Sequence, residues 1–217
     1  MEIIMKDIAI YGFGGFGREV ACLIAEINRQ KPTWHLVGYF DDEQLINTKN
    51  RYGRVLGGME ELNAWPMELA VALAIGNGKV VERLVAQIVN PHIYFPNIIA
   101  SNVSYFDPHT ITMGRGNIIT FGSRLSCDVH LGNFNILNGC ISLGHDVQIG
   151  DFNVLFPDTR ISGETTIGNR NFFGARSFIA QRLKIGSDTR IGAGSIVLRN
   201  TKDGNLYMGN PALKINI

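Results

Sequence analysis

The chain is written in two hydrophobic periods. Within residues 1–97, short apolar runs alternate with amphipathic ones. "DIAIYG" (7–12) predicts a strand, and "GREVACLIAEIN" (17–28) a helix, because Val20, Leu23, Ile24 and Ile27 recur at helical spacing. "HLVGYFDD" (35–42) and "LAVALAIGNG" (69–78) predict two more strands, and "KVVERLVAQIV" (79–89) a second helix. Strand–helix alternation of this kind implies a parallel sheet covered by helices.

From Met113 onward the rule changes. Steps of six give Met113, Ile119, Leu125, Leu131, Leu137, Leu143, Ile149, Leu155, Ile161, Ile167, Phe173, Ile179, Ile185, Ile191 and Val197, all large and apolar. With about a third of positions of this type in ordinary chains, chance does not produce such a series. Glycine recurs at every eighteenth place, at Gly114, Gly132, Gly150, Gly168 and Gly186. A period of six nested in eighteen means three flat faces per coil, one inward apolar residue per face, and glycine at a repeated tight spot. The prediction is a parallel β-helix of triangular section, about five coils long. The chain thus divides into an α/β domain over 1–97 and an all-β domain over 98–217. The tail "GNLYMGNPALKINI" (204–217) is expected to cap the last coil, and the first domain to cover the other end, because open strand layers invite pairing.

Composition adds bounds. The 217 residues are 45% hydrophobic, enough for real cores. Lys plus Arg number 20 against 19 Asp plus Glu, so no global field draws the chain to nucleic acid or acidic lipid. No run approaches the ~18–20 apolar residues of a membrane span. Glu2, Lys6 and Asp7 interrupt the N-terminal stretch, which is no secretory segment. Cys22, Cys127 and Cys140 lack metal-pair spacing and suggest no disulfide framework. A cytoplasmic protein with free thiols is expected.

Two places carry chemistry. Gly12, Gly14 and Gly17 fit G-x-G-x-x-G between a strand and a helix, with Gly15 and Phe16 inside the loop and Asp41 and Asp42 ending the next strand. Such glycines let backbone approach a phosphate at a helix N-terminus, and the acid meets a sugar hydroxyl. Only one mononucleotide half of a Rossmann-like fold precedes the hexads. A nucleotide or nucleotide-linked sugar therefore suits it better than NAD. Gly76 and Asn77, at the end of another strand, would line the same crevice. A glycine turn needed only for helix–sheet packing accounts for the same residues.

The second place is "SLGHDVQIGD" (142–151). Residues eighteen apart stack at ~4.8 Å, so His145 belongs to a column Cys127, His145, Gly163, Gln181, Arg199. Asp146 belongs to Asp128, Asp146, Glu164, Arg182, Asn200, where three stacked acids demand a cation or protonation. Gly163 would offer a backbone N–H to a developing oxyanion one coil above the histidine. A pantetheine arm could run along Gln181 toward Arg199, Lys184 and Lys202. His145 would act as general base with Asp146 orienting it; a surface histidine on a turn is the plain alternative. A β-helix zinc enzyme needs three converging histidines, and His109, His130 and His145 fall in different columns, so no metal is expected.

The hexads resemble those of the hexapeptide-repeat acyltransferases, whose coils wind left-handed. The whole chain resembles the sugar acetyltransferases that join an N-terminal nucleotide-sugar domain to such a β-helix. That family includes UDP-4-amino-sugar and GDP-perosamine N-acetyltransferases and sialic acid O-acetyltransferases. "GFGGFG" matches its G-x-x-G-x-G loop, "GHDVQIGD" its His-acid pair, and "GNPALK" (209–214) its G-x-P-A tail. The resemblance implies acetyl transfer from acetyl-CoA to the amino group of a nucleotide-linked sugar, with O-acetylation of a sugar hydroxyl as the alternative. It implies His145 as base, Asp146 as its polarising acid, Asn138 as a functional asparagine seven places earlier, and Gly163 as the amide for the thioester oxygen. It further implies a homotrimer with active sites between subunits, and a role in polysaccharide biosynthesis. Two positions depart from the pattern: Val154 replaces a second histidine, and Phe16 a histidine of the glycine loop. Phe156–Pro157 adds bulk that would shape the acceptor pocket or make a packing contact.

Overall fold

The computed structural model describes residues 5–215, so the first four residues and the last two of the expected cap lie outside the described residues. The N-terminal domain runs β1 (Lys6–Tyr11), α1 (Gly15–Gln30), β2 (Trp34–Phe40), β3 (Lys49–Asn50), β4 (Gly53–Gly57), α2 (Met59–Asn63), β5 (Leu69–Leu73), α3 (Gly78–Gln87) and β6 (Ile93–Tyr94). Its sheet has the order β3-β4-β2-β1-β5-β6, parallel except for the β3/β4 hairpin. All five residues of β5 are buried, as a central parallel strand covered on both sides requires. Strand order reverses beside β1, which pairs with β2 on one side and β5 on the other. The loops leaving β1 and β5 therefore part to form a crevice at the carboxyl edge of the sheet.

The hexads fold as their period predicts. Strands at 98–99, 118–119, 136–137, 154–155, 172–173 and 190–191 stack in parallel to form a first face. A second face stacks 104–105, 124–125, 142–143, 160–161, 178–179 and 196–197, and a third 112–113, 130–131, 148–149, 166–167 and 184–185. From Ile119 to Val197 every residue of the sixfold series is buried, and Met113 is half-buried. A further irregular coil precedes the regular ones. Its strands pair twenty residues apart, Ile98 with Ile118 and Ser104 with Arg124, and a 3-10 turn at Pro108–Thr110 interrupts it.

A second inward position, two residues before each apolar one, is also buried and often polar. It holds Asn117, Asn135, Asn153 and Asn171, together with Ser123, Thr159 and Ser177. The asparagines form a ladder through the interior. Backbone N–H groups of Asn135, Asn153 and Asn171 donate to the Oδ1 of the asparagine one coil below at 2.8–2.9 Å, and Thr189 N–H donates to Asn171 Oδ1 at 2.7 Å. Burying the amides of Asn117, Asn135 and Asn153 is tolerable because each finds a partner, whereas the Asn171 Nδ2 has none among the described residues.

Glycine takes the corner only near the two ends of the stack, at Gly116, Gly122 and Gly194, with φ of 70, 73 and 66°. Every sixth residue from Asp128 to Asp188, eleven in all and none glycine, has φ between 54 and 63°. The glycines repeated every eighteen residues serve stacking instead: a Cβ on Gly132 would lie 2.6 Å from the Gly150 carbonyl oxygen. The tail forms the expected cap, with Leu206–Gly209 joining the first face in parallel and Ala212–Ile215 returning antiparallel to it.

The first domain does not cover the other end of the stack. It docks along the first face, because the outward residues there are Ile118, Ile136 and Val154, which are 1%, 3% and 2% exposed. On the other faces the same positions hold Arg124, His130, Gln148 and Arg160, all exposed. Gly78, at the start of α3, touches the stack so closely that a Cβ would strike the Phe152 carbonyl. Ion pairs fasten the seam: Arg170 grips Asp188 at 3.1 and 2.9 Å and Glu82 at 3.2 Å, and Lys79 reaches Asp188 at 3.2 Å. The Arg170 hydrogen bond holds the Asp188 carboxyl below the usual aspartate range.

Candidate active site

His145 projects from the corner between the second and third faces, following strand 142–143. Its Nδ1 lies 2.8 Å from Asp146 Oδ2. A carboxylate only accepts, so Nδ1 carries the proton and Nε2 presents a lone pair. That free nitrogen faces Gly163 one coil on, where an added Cβ would stand 2.6 Å from Nε2 and 2.7 Å from Cε1. Only glycine leaves the ring in place. The Gly163 N–H enters no intrachain hydrogen bond among the described residues, while its carbonyl accepts from Arg182 N–H at 3.0 Å. Base and amide therefore share one open corner, and the His145 side chain is 54% exposed.

The neighbouring column resolves its charges in pairs. Arg182 binds Glu164 through Nε at 3.0 and 3.1 Å, and Asp146 meets the imidazole, so the cation expected among the acids is Arg182 in addition to the histidine. Glu164 in turn raises the Arg182 guanidinium. Gln181, Arg199, Lys184 and Lys202 are all exposed; Gln181 continues the His145 column, while the eighteen-residue step shortens beyond Val197, where Thr201 N–H donates to Lys184 O. Cys127 lies beneath His145, and its carbonyl accepts from Asp146 N–H at 3.1 Å.

Asn138 is not beside His145 in this chain. Seven residues carry the backbone across the second face, so Asn138 lies at its other corner, with its Oδ1 accepting from Thr120 Oγ1 at 3.4 Å. There it borders a cavity of about 720 Å³ between α1 and the β-helix, together with Phe121, Cys140, Pro157 and Leu23. Phe156, one coil above Asn138, packs on Phe172 with ring centres 5.0 Å apart.

The glycine loop divides by role. A Cβ on Gly17 would strike the Gly12 carbonyl, and one on Gly12, at φ 110°, would lie 2.8 Å from Ala74 O, so these two glycines serve packing. Gly14, Gly15 and Gly76 border open space, apart from an Arg18 nitrogen 3.9 Å from a Cβ at Gly15. Gly14 caps α1 with no side-chain hydrogen bond and no acid in the first turn. This leaves an N-terminus suited to an anion. Phe16 is half-buried against the core. Asp41 and Asp42 are already engaged. Asp41 accepts from Phe13 N–H at 2.8 Å and Glu43 N–H at 2.9 Å, and Asp42 from Tyr11 Oη at 2.5 Å and Met59 N–H at 2.8 Å. Burial, and then the Asp42 bond, push the Tyr11 hydroxyl upward. Asn77 Oδ1 accepts from Lys79 N–H at 3.1 Å, capping α3.

Val154, at the place of the missing histidine, belongs to the seam between domains, where an imidazole would be buried. The sequence signal for that seam is apolar character recurring every eighteen residues at an outward position. Among the described residues, no group of three or more His, Cys, Asp or Glu side chains could hold a metal ion. No described helix is long and apolar enough to cross a membrane.

A hexapeptide-type β-helix with a half-nucleotide-fold domain docked on one face defines the class. Residues 7–88 match the family model of the PglD N-terminal domain. Comparison with curated proteins gives no match. The fold matches solved structures over nearly the whole chain, among them the following three. The acetyltransferase domain of PglB from Neisseria gonorrhoeae FA1090, in complex with acetyl coenzyme A, is 24% identical with TM-score 0.88, covering 97% of this chain and 100% of that one. WeeI from Acinetobacter baumannii AYE is 26% identical with TM-score 0.86, covering 98% and 100%. PerB from Caulobacter crescentus, in complex with CoA and GDP-perosamine, is 22% identical with TM-score 0.81, covering all of both chains.

Proposed function

We propose that the protein is an acetyl-CoA-dependent sugar acetyltransferase acting on the amino group of a nucleotide-linked sugar. The observation that carries the reading is the corner where the Asp146-held imidazole aims its free Nε2 at the Gly163 backbone. The bound ligands of PglB and PerB, acetyl coenzyme A and CoA with GDP-perosamine, support the substrate classes.

His145 Nε2 takes a proton as the sugar amine attacks the thioester carbonyl. The C–N bond forms, Gly163 N–H steadies the oxyanion, the C–S bond breaks, and the imidazolium returns the proton to the leaving thiolate. Asp146 fixes the ring and stabilises its cation, as in any acid–histidine pair. No covalent enzyme intermediate is needed, and no metal enters. Gln181 and Arg199 would carry the acetyl-CoA arm, with Lys184 and Lys202 near its phosphates.

The acceptor crevice lies on the first face, whereas His145 lies at the corner opposite that face. One chain cannot bring its own nucleotide-bound sugar to its own base. The reading therefore takes a second copy, and the family resemblance makes the assembly a homotrimer, in which His145 of one copy meets the crevice, Asn138 and Phe156 of the next. An acetyl-CoA donor implies a cytoplasmic reaction, one that would serve polysaccharide biosynthesis. Free-thiol release from acetyl-CoA, measured with a panel of amino-sugar nucleotides and with hydroxyl acceptors in parallel, tests the reading. Turnover with hydroxyl acceptors alone would exchange N- for O-acetylation, and turnover with neither would refute the function.

A further inference from the structure

The N-terminal domain covers the first face of the β-helix and leaves the second bare. The outward positions of the second face run Ser104, Arg124, Ser142, Arg160, Phe178 and Ile196. The row beside it, toward the His145 corner, is small from Ser126 to Ala180, and neither row contains a carboxylate. Arg124 and Arg160 are exposed, and neither guanidinium has an ion-pair or hydrogen-bond partner among the described residues. The acid at the near corner, Asp158, already has Arg176 at 3.8 Å. Above the arginines, Phe178 and Leu198 are 37% and 52% exposed, more apolar surface than a solvent-facing sheet needs.

Two corners bound this face, with Asn138 at one and His145 at the other. The homotrimer proposed above joins the His145 corner of one copy to the Asn138 corner of the next, and the present inference rests on that reading. Corners that meet head to tail in a closed three-fold ring leave the face between them turned to the axis, since the three bodies would collide the other way round. A face of six residues is at most ~20 Å wide, so its midline lies ~6–8 Å from the axis, within the reach of an arginine. Arg124 and Arg160 of three copies then form two rings of three cations, two coils or ~10 Å apart, with the Ser142 hydroxyls between them. Phe178, Ile196 and Leu198 close the axis above. Three guanidinium groups in one ring repel one another unless an anion lies among them. Arginine matches phosphate-type oxygens as a donor fork, and a tetrahedral oxyanion on the axis offers three equivalent oxygens, one to each copy. We propose that the second faces of three copies enclose two axial sites for a tetrahedral oxyanion of the phosphate or sulfate kind, one at the Arg124 ring and one at the Arg160 ring. The anion ties the subunits together, and assembly follows its concentration by mass action.

The test is sedimentation analysis of the full chain, in chloride buffer alone and with inorganic phosphate or sulfate, joined to calorimetric titration of both anions. The parent is expected to be a trimer that binds two oxyanions per three chains. At phosphate ten times its dissociation constant, the trimer association constant should rise on the order of 100-fold, about tenfold for each site. Arg124→Gln and Arg160→Gln should each remove one oxyanion, and the double variant both, together with the phosphate dependence of assembly. The glutamines also end the repulsion within each ring. In chloride the double variant should therefore hold together at least as well as the parent, the opposite of losing an ordinary contact. Binding of phosphate alone, or of sulfate alone, keeps the sites and names their occupant. A trimer that binds no oxyanion, or binds one per chain with an affinity neither variant changes, overturns the axial sites and leaves the homotrimer standing. A chain that stays monomeric with and without phosphate overturns the homotrimer and the axial sites with it. Both arginines are exposed, so the variants should keep the parent fold; should either fail to fold, Arg160→Lys, which keeps the charge and loses the fork, must bind the oxyanion more weakly than the parent.

Discussion

Gly163→Ala isolates the geometry of the candidate base. The new methyl would stand 2.6 Å from His145 Nε2, while ordinary contact begins near 3.4 Å, so the ring must withdraw by 0.8 Å (3.4 − 2.6). The ring rather than the backbone will yield, because the His145 side chain is 54% exposed and held by one hydrogen bond. Gly163 is not in the left-handed region, so alanine adds no backbone strain there. A misplacement of this size costs on the order of 100-fold in rate, equivalent to about 2.7 kcal/mol of transition-state stabilisation. Thiol release under saturating acetyl-CoA should therefore fall about 100-fold, with the melting temperature within a few degrees of the parent. Turnover within about threefold of the parent would refute the assignment of His145 and Gly163 to one reacting centre.

Other outcomes follow from named contacts. His145→Ala should lower turnover on the order of 10²- to 10⁴-fold, and Asp146→Asn by a smaller factor, with KM for acetyl-CoA little changed in steady-state assays. Asp188→Asn should destabilise the chain at neutral pH by roughly 1–3 kcal/mol. The carboxyl of Asp188 is held below its ordinary value, so its contribution is present above the usual aspartate range and lost as pH falls through the lowered value. Melting curves of parent and variant should converge in acid; a constant difference across pH would contradict the ion-pair account. Val154→His buries an imidazole in the seam and should cost about 1–3 kcal/mol, read as a lower urea midpoint, with no gain in turnover.

The regular coils were legible because one large apolar residue in every six points inward, and Ile119 to Val197 satisfy that rule without exception. The first coil was not, since the 3-10 turn at Pro108–Thr110 breaks the step. Coil arithmetic placed Gly163 against His145 and Arg182 against Glu164, because stacking at fixed spacing leaves little freedom. It could not show that Val154 is buried, since the atoms that cover it come from another domain. The roles of Asp41 and Asp42 were hidden for a related reason: both carboxylates hold local backbone, and nothing in their spacing distinguishes that from ligand contact. Asn138 and His145, close in sequence, part at opposite edges of one face, because six residues carry the backbone from one corner to the next.

The left-handed corners have a consequence for how this half of the chain can change length. Each non-glycine corner costs roughly 1–2 kcal/mol on its own and is held by the coil beneath, as Asp146 N–H is held by Cys127 O. A coil is therefore stable only as a member of the stack, its free energy shared with nearest neighbours. Loss of eighteen residues would close in register, with every column intact and the chain one storey shorter. Loss of six would keep each hexad in phase yet swing the terminal hairpin a third of a turn, away from Lys79 and Arg190. The protein can grow or shrink by whole storeys, and the position of its lid records how many it has.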